Sequence, residues 1–177
     1  MLQSLLSASA SASGLTVAQL AAAGASLIAA SSLFNGIGRL FWGAISDKIG
    51  RLLFRLIMGT QIAAFICLLF VRDPLLFAAL VCYVLLCYGG GFGVMPSTAT
   101  SLFGAPVMPI VYGTLLSAWS AGGIVGPQIA AAIADSLAAK NAAATGAAGA
   151  TYAAGIAFLL LGLFFTLFLR DAKQAPR

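Results

Sequence analysis

Apolar residues come in five long blocks along this chain, at roughly residues 23–45, 53–71, 75–95, 112–133 and 149–169. Short polar breaks separate them: Ser46-Asp47-Lys48-Ile49-Gly50-Arg51, Arg72-Asp73-Pro74, a stretch from Pro96 to Pro109, and one from Asp135 to Gly146. Each block approaches the roughly 20 helical residues that cross a bilayer core. An open strand would leave backbone groups unpaired in lipid, so the blocks predict helices. The expected fold is all-α, a polytopic transmembrane bundle of about five spanning helices. The fourth span has the weakest predicted boundaries, because Gly126-Pro127 interrupts it.

Composition strengthens this reading. The 177 residues are 62% hydrophobic and 7% charged, against roughly a quarter charged in an ordinary soluble domain. So little charge cannot cover a water-facing globule, and the outer surface is expected to face a lipid bilayer. The net charge of +5 does not mark a nucleic-acid binder, since the basic residues are few and flank apolar runs. There is no histidine, and Cys67, Cys82 and Cys87 sit inside apolar runs without a CxxC pair. That excludes zinc and disulfide frameworks and leaves them as small apolar residues. With no paired carboxylates or Cys-His constellation either, neither an enzyme activity, a metal nor a cofactor is expected.

The distribution of charge orients the set. Lys48, Arg51 and Arg55 cluster at the first break, and Arg170, Lys173 and Arg177 in the tail; Arg72 and Lys140 are each offset by an aspartate, Asp73 and Asp135. Five crossings place the first break, the third break and the C-terminus on one side, predicted cytoplasmic, with the N-terminus external. The expected organisation is an uncharged external leader over 1–22, the transmembrane unit over 23–169 and a basic cytoplasmic tail over 170–177.

Arg39 is the most informative side chain, because a charge within a span normally faces a polar cavity or a partner. Asn35, Arg39 and Trp42 share a helix face by their spacing, and Gly36 and Gly43 are expected to admit a neighbouring helix or a substrate on that side. Two readings stand: a cation that holds an anionic substrate, or an arginine that snorkels to the membrane surface. Gln61, Tyr83, Tyr88 and Gln128 are polar groups inside spans, open either to substrate contact or to interhelical hydrogen bonding. No aspartate or glutamate lies deep in a span, so exchange or facilitated movement of an anion fits better than a carboxylate-based proton pump.

The run Gly43-Ala44-Ile45-Ser46-Asp47-Lys48-Ile49-Gly50-Arg51 resembles the G-x-x-x-D-[RK]-x-G-[RK] loop of the major facilitator superfamily, matching at Gly43, Asp47, Lys48, Gly50 and Arg51. In that family the loop helps to gate the cytoplasmic side, its aspartate meeting a helix N-terminus of the other half. Residues 33–43 leading into it, with Tyr88 to Gly93 (YGGGFG), Met95-Pro96 and Tyr112-Gly113 through Gly126-Pro127, resemble the oxalate/formate antiporter branch. The resemblance implies that the five spans are the eighth to twelfth helices of a twelve-helix carrier whose N-terminal half, a required partner, is missing here. It also implies a place in a bacterial inner membrane.

Members that exchange oxalate are expected to carry a cation in the eighth helix, matched by Arg39, and a lysine in the eleventh, which aligns near Trp119. With the second cation absent, the implied substrate is a small monocarboxylate rather than a dicarboxylate. Substrate contacts are expected from Arg39, Asn35, Trp42, Trp119 and Tyr88, although Trp119 is equally open to an apolar packing role. Gly122, Gly123, Gly126 and Pro127 resemble a glycine-proline motif of antiporters, and helix packing alone also explains them. The alternative to a carrier segment is a non-transporting membrane protein, either truncated or dependent on a partner half.

Overall fold

The computed structural model describes residues 16–50, 52–138 and 144–167. Among them the chain forms five α-helices: α1 (Val17–Ile49), α2 (Leu52–Phe70), α3 (Pro74–Phe103), α4 (Met108–Ala138) and α5 (Ala144–Leu167). All five are long and apolar enough to cross a membrane, and the chain is an integral membrane helical bundle.

The helices outrun the predicted spans. α1 opens with a capping box: Gln19 N–H donates to Thr16 Oγ1 at 3.3 Å and Thr16 N–H to Gln19 Oε1 at 2.8 Å. Two orphan donors are thereby satisfied, and the helix starts at Val17 rather than near residue 23. At its other end Ser46, Asp47 and Lys48 belong to the last helical turn rather than to a break. Gly50 ends the helix with φ 54° and ψ −132°, its N–H donating to Ser46 O at 2.8 Å. That conformation is open to glycine and costly for residues with a Cβ. Asp73 caps α3 by accepting from Leu76 N–H at 2.7 Å, with Pro74 at the favoured first position.

The third predicted break contracts most. α3 runs through Pro96 to Phe103, so only residues 104–107 connect it to α4, and Gly104 (φ 85°) turns the chain. α4 likewise runs uninterrupted through Pro127. A proline forfeits one helical hydrogen bond, whereas breaking the helix in lipid would expose several backbone groups. Of the fourth break, 139–143 lies outside the described residues, as do Arg51, most of the 1–22 leader and the 170–177 tail.

Glycines decide how the helices pack. A Cβ on Gly38 would collide with the Leu86 carbonyl, one on Gly89 with the Asn35 backbone, and one on Gly90 with the Trp42 indole. These pairs bring α1 and α3 backbone to backbone. The apposed pairs Asn35/Gly89 and Arg39/Gly93 advance together along both chains, so α1 and α3 run parallel. Of the two expected approaches at Gly36 and Gly43, that of a neighbouring helix does not occur among the described residues: neither glycine would meet any atom within 4 Å. The crossing forms at Gly38 because that position faces the glycine run of α3. α5 lies antiparallel on α2, with Gly149, Gly155 and Gly162 facing Leu69, Phe65 and Met58. Small residues drive helix association in lipid, where apolar burial gives little between helices. One core cluster joins Trp42, Leu53, Ile57, Cys87 and Val94, and a second joins Leu68, Val71 and Phe77.

Candidate functional site

α3 is the middle of the candidate site, with α1 and α4 packed against it on separate contacts. α1 sets Asn35, Arg39 and Trp42 against Gly89, Gly93 and Gly90 of α3. Arg39 sets its backbone on Gly93: a Cβ there would stand 3.0 Å from its carbonyl oxygen and 3.1 Å from its Cα. The Arg39 side chain is exposed, and among the described residues it has no ion pair or hydrogen bond. No acid sits deep in a described helix to neutralise it: Asp47, Asp73 and Asp135 all lie near helix ends.

Asn35 is half-buried against Gly89, and its Oδ1 has no hydrogen-bond partner. Trp42 is different. It is 5% exposed, lies over Gly90 in the core, and its indole N–H has no hydrogen-bond partner. The structure therefore puts the Trp42 side chain in the α1–α3 packing, whereas the Arg39 side chain is exposed.

On the other side of α3, two residues expected at the site meet directly. Trp119 Nε1–H of α4 donates to Tyr88 Oη of α3 at 2.7 Å. Phe92 completes the cluster, edge-on to Trp119 at 5.0 Å between centroids and 5.5 Å from Tyr88. An indole N–H can only donate, so Tyr88 Oη accepts, and the phenolic proton is left for another acceptor. Tyr88 adjoins Gly89, level with Asn35, and Phe92 adjoins Gly93, level with Arg39. Along the α3 axis, Arg39 and the hydrogen-bonded aromatic pair therefore differ in height by about one helical turn. Phe92 was legible only as the residue one turn beyond Tyr88.

The remaining expected residues divide. Gly43 lies inside α1, Asp47 and Lys48 are exposed on its last turn, Gly50 is its cap, and Arg51 falls outside the described residues. Lys48 suits the negative end of the helix dipole, whereas the Asp47 carboxylate is repelled there; its place is not explained by stabilising its own helix. Gly122, Gly123 and Gly126 would meet nothing within 4 Å, and α4, Pro127 included, has no buried residue among those described. The described residues therefore offer these three glycines no packing partner. Gln61 does bond between helices, Nε2 donating to Val84 O at 3.4 Å.

Two clefts lie elsewhere. One of about 850 Å³ opens between α1 and α3 toward Ala23 and Pro74, and one of about 480 Å³ lies among α2–α5 near Met58 and Met95. Both are walled almost wholly by apolar side chains and present no charged group to an anion. Among the described residues no cluster of three or more metal-ligating side chains occurs.

A membrane helical bundle that carries an arginine within an apolar helix, without an acid partner among the described residues, has the character of a transport protein, and sequence comparison agrees. The chain is similar to the oxalate:formate antiporter of Oxalobacter formigenes, 31% identical over 110 residues that cover 60% of this chain and 26% of the antiporter. It is also similar to apicoplast pyruvate carrier 1 of Toxoplasma gondii (36% over 105 residues, 56% of this chain, 18% of the carrier). Apicoplast pyruvate carrier 2 of the same organism is 33% identical over 88 residues, 46% of this chain and 14% of that carrier. The matched region thus spans about a quarter or less of the curated relatives' length. No family model and no solved structure matches the chain. The relatives are transporters, not enzymes.

Proposed function

We propose that this chain is the C-terminal part of a secondary carrier of the major facilitator type, moving small organic anions by exchange or facilitated transport. Monocarboxylates are the substrate class, and Arg39 is the cation that binds them. The observation that carries the reading is the setting of Arg39: a charge in an apolar helix, without an acid partner among the described residues, about one turn in height along α3 from the Tyr88–Trp119 pair. A carboxylate there gains charge-assisted, bidentate hydrogen bonds from the guanidinium, and the free Tyr88 hydroxyl proton supplies a further donor. Formate and pyruvate in the relatives' names are monocarboxylates that fit this chemistry, whereas oxalate is a dicarboxylate that does not.

The unburied α4 supports a second element of the proposal, a missing N-terminal half that closes the site. Asp47, unfavourably placed on its own helix, is then available to that half as part of the gating loop Gly43, Asp47, Lys48, Gly50 and Arg51. Gly122, Gly123, Gly126 and Pro127 would find their packing partner in the same place. In this arrangement the N-terminus is external and the C-terminus cytoplasmic. Alternating access needs two halves around a shared site, so the chain alone is inactive.

The test is carboxylate exchange in proteoliposomes by the complete carrier, this segment together with the N-terminal half that the proposal requires. Arg39→Gln abolishes exchange and Arg39→Lys retains little, at equal protein level. Near-normal exchange by Arg39→Gln would mean that the side chain only snorkels. Saturable uptake by the 177-residue chain alone would overturn the need for a partner.

A further inference from the structure

The α3 glycines are not equivalent. Gly91 would meet nothing within 4 Å, whereas a Cβ on Gly89 or Gly90 would be driven into the Asn35 backbone or the Trp42 ring. Those last two are requirements of the fold. Gly93 is intermediate, and its neighbour is the one residue that carries the charge: a Cβ would stand 3.0 Å from Arg39 O, 3.1 Å from its Cα and 3.3 Å from its Cβ. That is closer than ordinary van der Waals contact by a few tenths of an ångström, so α1 must give by that much to admit a methyl group.

We infer that Gly93 is a positioning residue that sets which length of monocarboxylate the site accepts, by fixing how close Arg39 stands to the Tyr88–Trp119 pair. The inference rests on the proposed role of Arg39. Tyr88 and Gly93 share α3, and Trp119 is tied to Tyr88 by the 2.7 Å hydrogen bond. A methyl group at position 93 therefore leaves the aromatic pair in place while displacing the turn of α1 that bears the guanidinium. A short anion then loses one of its two sets of donors, while a longer one still spans both. Sequence alone does not distinguish Gly93 from the other glycines of the run, because the distinction lies in which α1 residue each one faces.

The experiment measures KM for formate, acetate and pyruvate in the complete carrier with Gly93→Ala, Gly91→Ala and Arg39→Gln. A misplacement of about 1 Å costs on the order of a hundredfold. A few tenths of an ångström then raises the formate-to-pyruvate KM ratio about fivefold in Gly93→Ala. Gly91→Ala leaves the ratio unchanged. A structural defect would instead lower turnover for all three anions in parallel, and that pattern overturns the inference. So does failure of Gly93→Ala to accumulate, which would make this glycine a folding requirement like its neighbours. If Arg39→Gln is inactive and the Gly93→Ala ratio is unchanged, the inference alone is wrong. If Arg39→Gln exchanges normally, the proposed role of Arg39 falls, and the inference with it.

Discussion

Gly38→Ala tests the backbone-to-backbone crossing on which the site is built. The added methyl would stand 2.8 Å from the Leu86 carbonyl carbon and 3.0 Å from its Cα, and nearer still to the carbonyl oxygen. Ordinary contact begins near 3.4 Å, so the helices must part by at least about half an ångström there. Backbone has no rotamer by which to escape, which places the cost near the upper end of overpacking, about 3 kcal/mol. Alanine returns about 1 kcal/mol through helix propensity, for a net loss of about 2 kcal/mol. Gly36→Ala, two residues away with nothing within 4 Å, receives the gain without the clash. The two variants should therefore differ by about 3 kcal/mol, on the order of a hundredfold in the unfolding equilibrium. The assay is SDS-driven unfolding of the purified chain in mixed micelles, followed by far-UV circular dichroism. Equal midpoints for Gly38→Ala and Gly36→Ala would refute the close crossing.

The same assay separates the two tryptophans. Trp119→Phe should cost about 0.6 kcal/mol, the average for interhelical hydrogen bonds in lipid, and no more than about 1.7 kcal/mol, and this loss should vanish in a Tyr88→Phe background. Trp42→Ala should cost about 3–5 kcal/mol as a large core truncation, whereas Trp42→Phe should cost far less, because the Trp42 indole N–H has no hydrogen-bond partner. Single cysteines placed at Asp73 and at Ala105, with the three native cysteines replaced, should react with an impermeant thiol reagent from opposite membrane faces. Labelling of both from one face would exclude a membrane crossing by α3.

The helices were legible because apolar length is a property of the chain itself, and their ends less so because lipid changes what a break costs. In water Pro96 and Pro127 read as interruptions; in a span, continuing the helix satisfies more backbone than stopping does. Asn35, Arg39 and Trp42 were legible as one face, since helical spacing is local. What that face meets was not. Gly36 and Gly43 looked like the contact points on α1, yet the crossing lies at Gly38, because contact needs small residues on both helices at matching height. The Tyr88–Trp119 bond joins residues on different helices, and nothing in the local sequence around either specifies the pairing. Arg39 was identifiable from the cost of its charge alone.

That cost also bears on exchange as against one-way transport. In the proposed carrier, Arg39 must pass through an occluded state each time the site changes sides, and occlusion removes water from around it. A desolvated, unpaired guanidinium costs several kcal/mol, and the described helices offer no carboxylate to offset it. A bound monocarboxylate brings one negative charge against one positive, so the loaded site crosses nearly neutral while the empty one does not. Had a second cation stood at Trp119, a monocarboxylate would leave one charge uncompensated and a dicarboxylate would be required. With Trp119 donating its only proton to Tyr88, the site carries one fixed charge and neutral donors, a balance that favours return with a second monocarboxylate over return empty.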